Sequence, residues 1–306
     1  MKTNQKEISM KSLIKDYSIE TTPHIYEKLE SLSEYISHNN DVYITYLPDE
    51  DPDKVINAAK KIIQEGLNAI PHLPARTIKD YNMLEKYIGG LAENAGCKKI
   101  LIIGGSDKQI GNINSSLEIL QSDLLSKFNF KYVGLAGHPE GHPNISENDL
   151  DKIVIKKNQF ANNVDYKMYF VTQFFFEGKV FESWEKHISS LGNKLEIHAG
   201  IPGPATLKIL FSYAKSCGIG NSIKFLSKQA LNISKIATTK TPDRLLADLS
   251  EYKFNTSSSK LTKLHIYPFG GIKKTSQWMN AILENPLKIE SDNNLKTYFN
   301  KIKQRH

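Results

Sequence analysis

The apolar positions of this chain gather into eight short runs rich in β-branched and aromatic residues. Most are followed by ten to twenty residues at helical spacing. The runs begin near Tyr17 (YSIETTP), Asp41 (DVYITYL), Asn68 (NAIPHL), Lys98 (KKILIIGG), Lys131 (KYVGLAG), Tyr166 (YKMYFVTQFFF), Lys194 (KLEIHAGIP) and Lys263 (KLHIYPFGG). Nearly every run exits into a polar or glycine-rich cluster. Eight strand–helix units in 306 residues predict an α/β chain closed into a single (β/α)8 barrel. Such barrels carry their chemistry at the C-terminal ends of the strands. Glu20, Thr45, His72, Ser106, His138, Gln173 and His198 all fall at or just beyond those ends, so scattered polar residues become one ring.

Between the seventh and eighth runs the pattern changes. PATLKILFSYAKSC, GNSIKFLSKQALN and TPDRLLADLSEY each read as a helix opening on Pro, Asn-Ser or Thr-Pro-Asp. They predict extra helices of the barrel rather than a second domain. The chain 1–306 is therefore read as one barrel domain, with 1–16 as a helical or irregular lead-in. Helix patterns follow strand eight at Ser276–Leu283 and Asn293–Lys303, and residues 286–306 are read as a C-terminal helical closure.

Composition narrows the class without deciding the chemistry. A hydrophobic content of 40% suffices for a sizeable core. The longest apolar run, Met168–Phe176, is too short and too polar to span a bilayer. The N-terminus lacks an apolar core and a small-residue cleavage site, so a cytoplasmic protein with no membrane partner is expected. The net charge of +7 comes from lysines dispersed along helices among acids, without an arginine-rich stripe. That is a solvated surface, compatible with anionic ligands but not a nucleic-acid footprint. Cys97 and Cys217 form no CxxC and are read as reduced packing residues.

Six clusters carry candidate chemistry. Glu20 in SIETTP is a carboxylate at a strand end, where partial burial equips it to deliver a proton near neutral pH. His72 in IPHLPAR lies between prolines that stiffen its loop, and Arg76 follows as a possible phosphate ligand. IIGGSDKQIGN lets backbone approach a ligand at Gly104 and Gly105, with Ser106 or Asp107 supplying polar contacts. GHPEGHP places His138, Glu140 and His142 in a rigid loop; the alternation points them in different directions, which suits a planar or phosphorylated cofactor better than a metal. In FVTQFFF, Gln173 offers an amide for the edge of a heterocycle, while the phenylalanines read mainly as packing. GIPGPA builds a fixed turn before a helix.

In this order the clusters resemble the methylenetetrahydrofolate reductase family across residues 17–285. IETTP matches its strand-one glutamate segment, VYITY its Thr-bearing second strand and PHLPAR its PHLT-type loop. AGHPEGHP matches AxYPExHP, VTQFFF matches TQxFF and GIPGPA matches GIxP. The resemblance implies a TIM barrel that binds FAD and interconverts 5,10-methylenetetrahydrofolate and 5-methyltetrahydrofolate by hydride transfer, with NADH or NADPH as electron partner. It implies Glu20 as proton donor or acceptor. It matches Thr45, His72, Ala136 and His142 to flavin-contacting positions, Asp151 to a further cofactor contact and Gln173 to the folate contact. Arg76, Gly105, Ser106 and His138 are read from the residues themselves as further cofactor contacts, with Ser106 also at the folate. No resident metal is implied, and a homo-oligomer is compatible with the family.

The chain also departs from that pattern. The charged RGD-type segment after strand four is Gly104-Gly105-Ser106, and the family tyrosine is His138. Asn158 stands where a lysine is expected, with Lys156 and Lys157 beside it. These changes mark a divergent member and keep two other readings open. One is a flavin-independent reductase passing hydride directly between nicotinamide and folate; the other is a non-catalytic barrel that binds folate or flavin.

Overall fold

The computed structural model describes residues 10–105, 109–229 and 239–284. All eight expected barrel strands are present: β1 (Ser18–Thr21), β2 (Asp41–Ile44), β3 (Asn68–Pro74), β4 (Lys99–Ile103), β5 (Tyr132–Gly137), β6 (Lys167–Thr172), β7 (Glu196–Pro202) and β10 (Leu261–Tyr267). They close in the order β1-β10-β7-β6-β5-β4-β3-β2, an eight-stranded barrel. Residues 10–14 form helix α1. No described helix is long and apolar enough to cross a membrane.

Packing divides the described residues into two compact units: 18–105 and 109–137 with Ile155–Val171, and 10–17 with His138–Val154, 172–229 and 239–284. In the first, β1 to β5 pair in parallel, with Glu20 opposite Tyr43 and His72 opposite Leu101. Strand β2 is buried at every position, as expected of a parallel strand covered on both faces. Tyr43, Ile70, Leu101, Tyr169 and Val171 form one core cluster, inside which the Tyr43 and Tyr169 hydroxyls lie 3.0 Å apart. That hydrogen bond gives each buried hydroxyl a partner in the core.

Local chemistry sets the helix starts. Thr22 caps α2 (Pro23–Glu27) by accepting from Ile25 N, and Asp51 caps α3 (Pro52–Gln64). Both helices begin with Pro at a position whose N–H has no helical partner. Helix α4 (Tyr81–Gly89) follows β3, and the short α5 (Ser116–Leu120) and α6 (Leu124–Lys127) precede β5.

In the second unit β7 pairs with β10 in parallel, Gly200 opposite His265. A Cβ on Gly200 would lie 2.2 Å from Thr172 O, so only glycine admits this strand approach. Helices α7 (Glu147–Ala161), α8 (Gly178–Ser190), α9 (Leu207–Ser216), α10 (Gly220–Gln229), α11 (Asp243–Asn255) and α12 (Ile272–Glu284) complete the element order. The three helices expected between strands seven and eight are therefore α9, α10 and α11. Helix α9 starts at Leu207, capped by Thr206, rather than at Pro204. The reason is a feature the sequence pattern did not disclose: Ala205–Thr206 (β8) pairs antiparallel with Thr239–Lys240 (β9) in a two-stranded ribbon. The segment expected at Asn293–Lys303 lies outside the described residues.

Candidate functional site

In the first unit, β1, β2 and β3 deliver Glu20, Thr45 and His72 to one place. The Thr45 hydroxyl reaches Glu20 Oε1 at 2.9 Å and Thr21 O at 3.1 Å, while Thr45 N donates to Thr21 O. Backbone pairing thus fixes the hydroxyl that orients the carboxylate. Glu20 Oε2 lies 3.9 Å from His72 Nε2, with side-chain exposures of 18% and 8%. One carboxylate oxygen thus accepts from the Thr45 hydroxyl, and the other faces the His72 imidazole. The His72 ring meets Tyr43 edge-on at 6.2 Å, and Tyr87 donates to His72 O. Tyr87 is fully buried, and burial first of all pushes its hydroxyl well above the ordinary value, so it acts as a neutral donor.

Arg76 turns toward the strand-four loop. Its Nη2 donates to Gly105 O at 3.0 Å, its N to Gly104 O, and its O accepts from Ile110 N. Gly105 sits at φ +88°, a left-handed conformation that glycine adopts without strain. Arg76 is thus a brace for the loop carrying Gly105. Ser106 lies outside the described residues.

Ala136, in β5, has an unexpected partner. Lys157 of α7 is 3% exposed, donates Nζ to Ala136 O at 3.2 Å, and lies 5.4 Å from the centre of the Phe170 ring. Burial pulls its pKa down to about 8. The sequence contained the signal, because Val154 and Lys157 share the inward stripe of α7 while Lys156 faces solvent.

The second unit holds the histidine loop. His138 and His142 meet edge to face at 5.3 Å. His142 Nδ1 accepts from Asn144 N, which assigns the neutral ring's proton to Nε2. Glu140 accepts from Ser222 N at 2.9 Å and from Ser222 Oγ, so the loop caps α10 from outside that helix. Among the described residues no group of three or more His, Cys, Asp or Glu side chains is arranged to hold a metal ion. Asp151 is turned toward α8, where its Oδ1 lies 2.8 Å from His187 Nε2. That pairing competes with the cofactor contact expected of it.

Gln173 follows β6 at a braced point of the backbone. Gly200 N donates to Thr172 Oγ1 at 2.7 Å, and Tyr267 OH donates to Thr172 O at 3.0 Å. The Gln173 amide has no hydrogen-bond partner among the described residues. Phe174 and Phe175 are buried packing residues, as read, whereas Phe176 is only partly buried. The GIPGPA turn is a packing turn: Gly203 N donates to Tyr267 O, and a Cβ on Gly270 would strike Pro204 O.

Three residues that the motifs did not single out form an aromatic column beside Gln173. Tyr267 stacks on Phe269 at 5.7 Å and 17°, and Phe269 on Tyr213 at 4.1 Å and 21°. Tyr213 is 44% exposed, so the column ends in an open ring face. Their separation in sequence, 213 against 267 and 269, hid the column from any local pattern.

A family model described as methylenetetrahydrofolate reductase matches residues 15–224. Solved structures similar to this chain include a dihydropteroate synthase from Thermus thermophilus, at 8% identity over 86% of this chain and 90% of that one, with a TM-score of 0.45. A xylose isomerase domain containing protein from Salmonella typhimurium is 13% identical over 87% and 97%, with a TM-score of 0.45. A deoxyribose phosphate aldolase from Aeropyrum pernix is 13% identical over 85% and 97%, with a TM-score of 0.39.

Proposed function

This chain belongs to the methylenetetrahydrofolate reductase family, a folate-related group of oxidoreductases, and we propose that it interconverts 5,10-methylenetetrahydrofolate and 5-methyltetrahydrofolate in a single barrel domain. We further assign FAD as resident cofactor and NADH or NADPH as electron partner. The observation that supports this reading most is the Glu20–Thr45–His72 group, a half-buried carboxylate at a barrel strand end that accepts from the Thr45 hydroxyl and faces the His72 imidazole.

The donors present suit a flavin. Thr45 and His72 in the first unit, and His138 and His142 in the second, are hydrogen-bonding groups of the kind that suits the edges of a planar ring. Gly141, at φ +81°, has open space where a Cβ would project, so the histidine loop can lie close to a ligand. When bound and reduced, FAD supplies the hydride.

The residues of this chain do the rest. Reduction requires protonation of the folate N10, which opens the five-membered ring and leaves an iminium at N5; hydride addition to its exocyclic carbon gives the methyl group. Glu20 Oε2 gives that proton in the reductive direction and takes it back in the oxidative one. Thr45, bonded to Oε1, fixes the carboxyl plane so that Oε2 faces the substrate. The uncommitted Gln173 amide holds the donor–acceptor edge of the pterin, and the Tyr213 ring face offers a stacking surface for a planar group.

Glu20→Gln tests the assignment. It should keep flavin binding, measured by fluorescence titration, and lose about 10²–10⁴ in turnover of methylene-folate. Turnover within a few-fold of the parent would make Glu20 structural. The Gly104-Gly105 pair in place of a charged strand-four segment favours one second reading, direct hydride transfer from nicotinamide to folate without flavin. An absorbance spectrum of the purified protein separates the two, because only the flavoprotein shows the yellow flavin bands.

A further inference from the structure

The second unit contains a cavity of about 340 Å³ that none of the proposed site residues lines. It opens between the start of α8, the end of β7, helices α9 and α10, and the start of α11. Its apolar wall is Phe176, Leu207, Leu226 and Leu245. Three cations, Lys179, Lys240 and Arg244, share the lining with Glu177 and Asp248, leaving it net positive. Asp248 interacts with the charges of Arg244 and Lys179, whereas Lys240 forms no salt bridge among the described residues.

Backbone geometry shapes the same space. A Cβ on Gly178 would lie 2.6 Å from Asp248 Cβ, so α8 and α11 approach as closely as glycine permits. Both helices have thirteen residues, both begin at the cavity, and neither start carries a side-chain cap. Glu177 at the N-cap of α8 and Asp243 in the first turn of α11 partly offset the positive ends of these helices. The volume suits a small organic molecule.

We propose that this cavity binds a phosphate monoester with an apolar body, the phosphate lying against Arg244 and Lys240 and the body against Phe176 and the leucines. A guanidinium recognises phosphate through paired N–H donors, whereas a carboxylate offers fewer acceptors to the remaining cations. The mixed lining explains why an apolar body is required: bare phosphate would leave the leucine wall wet. The site does not depend on the flavin assignment.

The test is calorimetric titration of the full chain at low ionic strength with phenyl phosphate, inorganic phosphate and benzoate. Phenyl phosphate should bind saturably, one per chain, about tenfold or more tighter than either comparator. Arg244→Gln and Lys240→Gln should each weaken it by about tenfold. Arg244 is exposed and Lys240 half-buried, so both variants should fold, checked by unchanged melting without ligand. Phe176→Ala should narrow the preference for phenyl phosphate over inorganic phosphate. No saturable binding, equal affinity for benzoate, or binding untouched by both cation variants would each overturn the proposal.

Discussion

Replacing Lys157 by Met should change how stability depends on pH. The ammonium is buried beside one carbonyl and one ring, and burial lowers its pKa from 10.5 to about 8. A folded-state value below the unfolded one means that the unfolded chain binds the extra proton between those limits. Folding stability therefore rises with pH from about 8 up to 10.5. Each pKa unit corresponds to about 1.4 kcal/mol, so the charge at Lys157 opposes folding by about 3 kcal/mol near neutrality. Methionine keeps the length and apolar stem, removes the charge, and leaves Ala136 O without its donor, a loss of about 1 kcal/mol. The variant should match or exceed the parent near neutral pH. Urea unfolding of both proteins across the range measures the difference, in which the titration of every other group cancels. The parent should gain about 3 kcal/mol on the variant as pH rises to 10.5. A difference that stays flat would mean that Nζ is solvated or charge-paired, and the reasoning about its burial would fail.

Two further outcomes rest on other parts of the molecule. Glu65 accepts from Tyr26 OH, Ser31 Oγ, Leu32 N and Ser33 N; burial alone would raise its carboxyl, but these bonds outweigh it and hold the pKa below 4.5. Its stabilisation is present above the unfolded value and lost as pH falls through the folded one, so Glu65→Ala should lower stability at neutral pH and flatten the acid limb, read by urea midpoints. An acid limb as steep as the parent's would contradict this. Gly200→Ala should destabilise by about 1–3 kcal/mol and disturb the backbone at Gln173, because its Cβ meets Thr172 O and Gln173 C. Unchanged thermal melting would show that the strands part freely.

The barrel was legible because its strands are short apolar runs at near-regular spacing, a pattern that β2 and β6 express without a polar interruption. The β8–β9 ribbon was not, because two residues per strand leave no periodicity to read. Within the site, Glu20, Thr45 and His72 could be grouped from strand order alone, since parallel neighbours bring their ends together. Asp151 could not be judged: its pairing with His187 of the neighbouring helix depends on how two helices pack, and nothing local to DLDKIVIKK encodes it. Lys157 was within reach, since its place on the α7 stripe is a matter of counting residues. Burial of a lysine is rare enough that charge argued for the wrong face.

The bond between Glu140 and Ser222 joins residues 82 apart in sequence. A ribosome releases the chain from the N-terminus, so the histidine loop emerges well before the helix whose start it caps. Strands β6 and β7 and helix α9 must all be synthesised in the interval. Until then the Glu140 carboxylate lacks its Ser222 donors, and the loop is not yet tied to α10. The first half of the barrel can therefore assemble on the nascent chain with the histidine loop still unfinished. A chain stalled before Ser222 should show hydrogen exchange at the 138–146 backbone as fast as in an open loop, even where β1 to β5 are already protected.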